Sequence, residues 1–180
     1  MKKQLIIATL ALGAIVFGTN SAQAQSAKTA VNIILSDVIS IDGGVAVGGA
    51  VDFNYVTAED YNTSKTALVP KSLIVTSTKN FDVKVKADGG FFVGGKSFSD
   101  YIPVNVLTIQ AATGGSMAGT QNTIVLSTDD QVLIGNAPLG SALTLDLDYT
   151  IPAAESSSSK ILGKPAGTYT QNVTYTATAL

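Results

Sequence analysis

Apolar and polar residues alternate with a period of two along most of this chain, and the alternation breaks at Gly, Asn, Asp and Ser. Alternation rich in Val, Ile, Thr and Tyr predicts strands with one face against a core and the other toward solvent. The last stretch is the plainest. Tyr169, Gln171, Val173, Tyr175, Ala177 and Ala179 form one row, and Thr170, Asn172, Thr174, Thr176 and Thr178 the other. A strand with nothing after it is expected at a sheet edge, where unpaired backbone groups invite a partner. In residues 28–41, Val31, Ile33, Leu35, Ile39 and Ile41 share one phase and Asp37 interrupts it. A buried face accepts a carboxylate only at a cost. Asp37 is therefore read as a junction between two short strands, with a single edge strand carrying Asp37 at its rim as the alternative.

The turn Asp42-Gly43-Gly44 leads into a further alternation over 45–56, with Val45, Val47, Val51, Phe53 and Tyr55 in phase and a bulge expected at Gly48-Gly49. Residues 57–70 are polar and loop-like, with room for one helical turn, and Leu73 to Thr76 reads as a short strand. Phe81, Val83 and Val85 against Asp82, Lys84 and Lys86 give the clearest internal strand, its charges on a solvent face. Phe91-Phe92-Val93 is a brief apolar segment between glycine pairs. Ile102, Val104 and Val106 are in phase before a slip to Leu107 and Ile109, which predicts a bulge, and Pro103 confines the start to an edge or strand entry. Residues 111–119 read as a loop, then two short strands follow at 123–127 and 131–135. Leu143, Leu145, Leu147, Tyr149 and Ile151 mark a long strand, and 156–159 a flexible loop. Many strands with Gly-rich turns and no helical period past the N-terminus predict an all-β, antiparallel, immunoglobulin-like β-sandwich.

The N-terminus has a different character. Lys2 and Lys3 precede an apolar run from Leu5 to Phe17, followed by Ala22-Gln23-Ala24. A basic start, a short apolar stretch and an A-x-A site are the features of a secretory signal peptide, expected over 1–24. The run is too short for a membrane span, which needs about 20 apolar residues. The expected mature chain starts at Gln25, is exported through the Sec route and has no transmembrane segment once the signal is cleaved. It is one domain long. With no cysteine, packing and ladder hydrogen bonds must hold it. The 11 basic residues of the full chain are all lysine and scattered, and its net charge is −2, which argues against a nucleic-acid partner.

Catalytic chemistry finds little to work with. The absence of His and Cys removes the commonest general base, the thiol nucleophile and the usual transition-metal ligands. Glu59-Asp60 and Asp129-Asp130 read as solvated turn residues. Asp146 and Asp148 share the outer face of one strand, where a weak calcium site and a merely polar face are the two readings. The glycine pairs precede no helix and no G-K-[ST] occurs, so they are turns and bulges rather than phosphate loops. Tyr55, Tyr61, Tyr101 and Phe91-Phe92 are candidates for a sugar-binding face, although Trp is missing. No enzyme activity, cofactor or metal is expected.

In layout the chain resembles the chaperone–usher pilins, the subunits of bacterial fimbriae, and in particular their cysteine-free branch. The likeness rests on the alternating start at 27–35, on the strand that closes the sequence, and on Gly167, fourteenth from the C-terminus, with Tyr169, Val173 and Tyr175 after it. Ala179 stands where that family carries a penultimate aromatic. The resemblance implies a sandwich lacking one strand, over 37–180, completed by the extension 25–36 of a neighbouring subunit. It implies Val31, Ile33 and Leu35 as the donor-strand side chains. Gly167, Tyr169, Val173 and Tyr175 become the C-terminal edge strand read by an assembly chaperone. The implied partners are identical subunits in a homo-polymer, with a periplasmic chaperone and an outer-membrane usher during assembly. The product is an extracellular fimbria that supports surface adhesion. The alternative is a self-complete secreted β-sandwich that binds a surface glycan or cell-wall polymer, with 28–41 paired within its own chain.

Overall fold

The computed structural model describes residues 28–44, 49–94 and 101–180. The signal peptide expected over 1–24, the first residues of the expected extension, and Val45, Val47 and Gly48 lie outside the described residues. The chain divides into two units, Met1–Ile34 and Leu35–Leu180. In the first, residues 28–34 have no regular secondary structure.

The second unit is an antiparallel β-sandwich. Its strands are β1 (Ile39–Asp42), β2 (Lys65–Ser77), β3 (Phe81–Ala87), β4 (Phe91–Val93), β5 (Tyr101–Pro103), β6 (Thr108–Ala111), β7 (Thr120–Gln121), β8 (Ile124–Val125), β9 (Gln131–Ala137), β10 (Gly140–Ile151) and β11 (Val173–Ala179). One sheet has the order β1-β2-β10-β6-β8, the other β11-β3-β9-β7, and β4 and β5 form a separate hairpin. The core lies between the two large sheets. Phe81, Val83 and Val85 of β3, Leu145 and Leu147 of β10, Ile109 of β6 and Leu133 of β9 are fully buried there. The alternation seen in the sequence causes this: a period of two puts every second side chain on the inner face, and apolar rows remove themselves from water.

β3 and β10 form as their patterns predict. Four other segments differ from the sequence reading. β2 begins at Lys65, not Leu73, so much of the expected loop 57–70 belongs to the longest strand. Its polar residues and Pro70 hide it in the pattern. Pro70 is tolerated because it sits in a bulge: Val69 pairs with Leu147 and Leu73 with Leu145, leaving three residues of β2 opposite Asp146. Lys71 at φ +49° makes the turn, and its N–H donates to Asp146 Oδ1 at 2.8 Å. The expected helical turn is present as α1 (Ala58–Asn62). The slip after Val106 is a 3-10 turn over Val104–Val106 rather than a bulge, and it buries Val104, Val106 and Leu107 together. The loop expected at 156–159 starts instead with a short helix, α2 (Ala153–Ser156). Residues 28–37 pair in no strand, so the first of the two expected strands is not formed. Asp37 is therefore not a junction between two strands: β1 starts two residues after it, and its carboxylate forms a surface ion pair with Lys79 at 2.6 Å.

Candidate functional site

Two edges of the sandwich come together beside β11. On its inner side β11 pairs in continuous register with β3, from Val173 opposite Ala87 to Ala179 opposite Phe81. Among the described residues its other side has no strand partner, so the edge position expected for the closing strand is found there. Across the core, β1 covers only the Ile74 to Ser77 end of β2. Among the described residues, the opposite end of β2 has β10 as its only strand partner. Between that stretch and the start of β11 lies a cavity of about 1200 Å³. Its floor is apolar, with Leu73, Val106, Leu107, Ile151, Ile161 and Val173. Residues 49–56 form one wall and 164–172 the other.

The two walls are held differently. In 164–172, Thr170 and Val93 exchange both backbone hydrogen bonds, at 3.0 and 3.1 Å, tying the wall to the β4–β5 hairpin. Gln171 Nε2 donates to the Phe91 carbonyl at 2.7 Å, and the Tyr169 hydroxyl donates to the Pro165 carbonyl at 2.7 Å. The Tyr169 ring lies where a Cβ on Gly94 would come within 2.6 Å of it, so Gly94 is needed for this packing. In 49–56, Val51, Phe53 and Tyr55 are half-buried against the core while Asp52, Asn54 and Val56 are exposed. That is the burial of a strand, yet these residues belong to no strand ladder. The segment is anchored at its end. Val56 and Thr57 N–H both donate to Asp60 Oδ2, at 2.8 and 2.7 Å, and Lys65 pairs with Oδ1. These partners, Lys65 foremost, hold the Asp60 carboxyl well below the usual carboxylate range. Tyr55 stacks on Tyr61 at 4.9 Å between ring centres, and its hydroxyl bonds Ser156 Oγ at 2.8 Å.

Deeper in, the Tyr149 and Tyr175 hydroxyls bond each other at 2.8 Å and join the two sheets. Burial, reinforced by Tyr149, pushes the Tyr175 hydroxyl well above its ordinary value of 10.0. Ser72 also lines the cavity, is fully buried, and its Oγ has no hydrogen-bond partner.

The C-terminal group singled out in the sequence converges here. Gly167, Tyr169, Val173 and Tyr175 all line the cavity, although only Val173 and Tyr175 lie in β11. Val31, Ile33 and Leu35 are 82, 82 and 87 % exposed, as is Ile34 at 88 %. Of the aromatic candidates, Tyr55, Tyr61 and Phe92 line the cavity, whereas Tyr101 packs on Phe91 at the hairpin. Asp146 is a buried acceptor for the β2 bulge, and among the described residues no group of three or more His, Cys, Asp or Glu could hold a metal ion. The sequence gives no sign of Ser72, and residues 169–172 of the wall read as the start of the closing strand, which begins instead at Val173. Asp60, read as a solvated turn residue, leaves a trace as the third residue after Thr57 in a capping pattern. Among the described residues no helix is long and apolar enough to cross a membrane. No protein-family model and no curated protein matches this chain.

Proposed function

We propose that this chain is a non-enzymatic structural subunit of an extracellular fimbria that polymerises by donor-strand exchange and supports surface adhesion. The observation that carries the reading is the row Val31, Ile33 and Leu35, with Ile34 beside it, left exposed in a chain whose sandwich has a cavity with an apolar floor next to β11, an edge strand among the described residues. An exposed apolar row of this spacing is suited to strand addition, in which main-chain bonds fix register and alternate side chains fill pockets. Burying three such side chains contributes roughly 5–9 kcal/mol at ~1.5–3 each. Each ladder bond adds on the order of 1 kcal/mol net. Side-chain fit therefore leads. A head-to-tail contact of this kind propagates as an open filament. Export through the Sec route, a periplasmic chaperone and an outer-membrane usher complete the reading.

The test is to produce residues 37–180 with and without a C-terminally fused copy of 27–36. The fused copy is expected to raise the melting temperature markedly and to block polymer formation by the mature chain. A truncated domain that is equally stable and monomeric without the copy overturns the proposal. A second reading, a glycan-binding module, is favoured by the Tyr55–Tyr61 pair at the cavity wall. Glycan-array binding that is lost on Tyr61→Ala would support it.

A further inference from the structure

Residues 49–56 carry the same spacing as the exposed N-terminal row: Val51, Phe53 and Tyr55 repeat the i, i+2, i+4 pattern of Val31, Ile33 and Leu35. They direct that row onto the same core that an added strand would have to meet, alongside Val173 and Tyr175. Side chains and the anchor at Asp60 hold them, without ladder bonds. We propose that residues 49–56 are a resident stand-in strand, whose apolar row covers the core beside the cavity in the isolated subunit and yields that place to the donor segment of a second copy.

The inference rests on the subunit reading above. Competition favours the incoming segment for a stated reason. Resident and incoming rows offer three apolar side chains each, but a donor lying along the unpartnered edge of β11 also gains main-chain hydrogen bonds that 49–56 does not make. The stand-in has its own use, since without it the floor residues Leu73, Ile151 and Ile161 would face water before assembly. The resident segment is thereby a brake on premature association, and its hold sets the rate of exchange. The hydroxyl bond from Tyr55 to Ser156 is the contact that must break at the anchored end.

The chain has no cysteine, so a single introduced thiol reports on this segment alone. In the mature chain carrying Val51→Cys, a synthetic peptide of residues 27–36 is expected to raise the thiol-labelling rate at least tenfold. In a chain carrying Val56→Cys, already exposed, the rate should not change. Fluorescence anisotropy of the labelled peptide should show at least tenfold tighter binding to Phe53→Ala than to the unaltered chain. Binding to the Phe53→Ala chain alone would support the proposal in its strongest form. Peptide binding with unchanged Val51→Cys labelling and no gain from Phe53→Ala overturns the stand-in proposal and leaves the subunit reading in place. No binding to either chain overturns both. Should Phe53→Ala fail to fold, Tyr55→Phe, which removes only the Ser156 contact, replaces it, with faster peptide association as the expected result.

Discussion

Residues 49–56 and β11 carry similar alternation and press similar side chains on one core, yet only β11 is a strand. Each β11 residue from Val173 to Ala179 faces a partner on β3, and the backbone pairs that come with this register fix the segment in place. Residues 49–56 bury Val51, Phe53 and Tyr55 without any such register. Alternation decides which face is apolar. Pairing needs a neighbouring backbone at strand distance, about 4.8 Å, and for 49–56 that neighbour is not present in the isolated chain. The contrast separates the two contributions that strand addition would combine.

The largest effect that tests this contrast comes from removing equal side chains from the two kinds of site. Phe81→Ala in β3 is expected to cost about 3–5 kcal/mol, because a fully buried ring leaves a cavity. Phe53→Ala, from a half-buried position, should cost about 1–2 kcal/mol. Urea denaturation of both variants measures the difference, and equal costs would make 49–56 a core strand. Next in size is Asp146→Ala, which removes the buried carboxylate that accepts from the Lys71 N–H at the β2 bulge. A loss of about 1–3 kcal/mol is expected in the same assay.

Smaller again is Tyr175→Phe, which removes the hydroxyl bond between the sheets and should cost about 1 kcal/mol. It also sharpens the alkaline behaviour. Folding raises the Tyr175 hydroxyl well above 10.0, so the folded chain holds a proton that the unfolded chain loses as pH passes that value. Stability is therefore full below about pH 10 and falls as pH rises beyond it. Stability measured across pH 8–11 should show this decline, and Tyr175→Phe should flatten it. The smallest change is Ser72→Ala, expected to stabilise by about 1 kcal/mol because the unpartnered Oγ is deleted from a buried site. A loss instead would mean that water in the cavity satisfies that hydroxyl.

The sequence made the faces readable and left the partners undetermined. Phe81, Val83 and Val85, or Leu145, Leu147, Tyr149 and Ile151, announce their inner face because apolar burial acts residue by residue. Lys65 to Pro70 did not announce a strand, since their place in β2 comes from pairing with Leu147 to Ile151 and from a bulge that Asp146 completes across the sheet. The row Val104, Val106 and Leu107 was correctly read as buried and misread as bulged, because a short 3-10 turn hides the same residues. The candidate site was legible at Gly167, Tyr169, Val173 and Tyr175, only hinted at by the capping pattern of Asp60, and invisible at Ser72, whose role depends on neighbours far along the fold.

The sequence by itself determined that the chain is all-β, which residues turn inward and that no cysteine staples it, because these follow from local period and composition. Only the tertiary structure decided that β11 pairs with β3, that β1 reaches only Ile74 to Ser77 of β2, and that 49–56 lines a cavity outside any strand ladder. Those facts are relations between segments distant in the chain, set by which backbones reach one another, and a period of two carries no record of its partner.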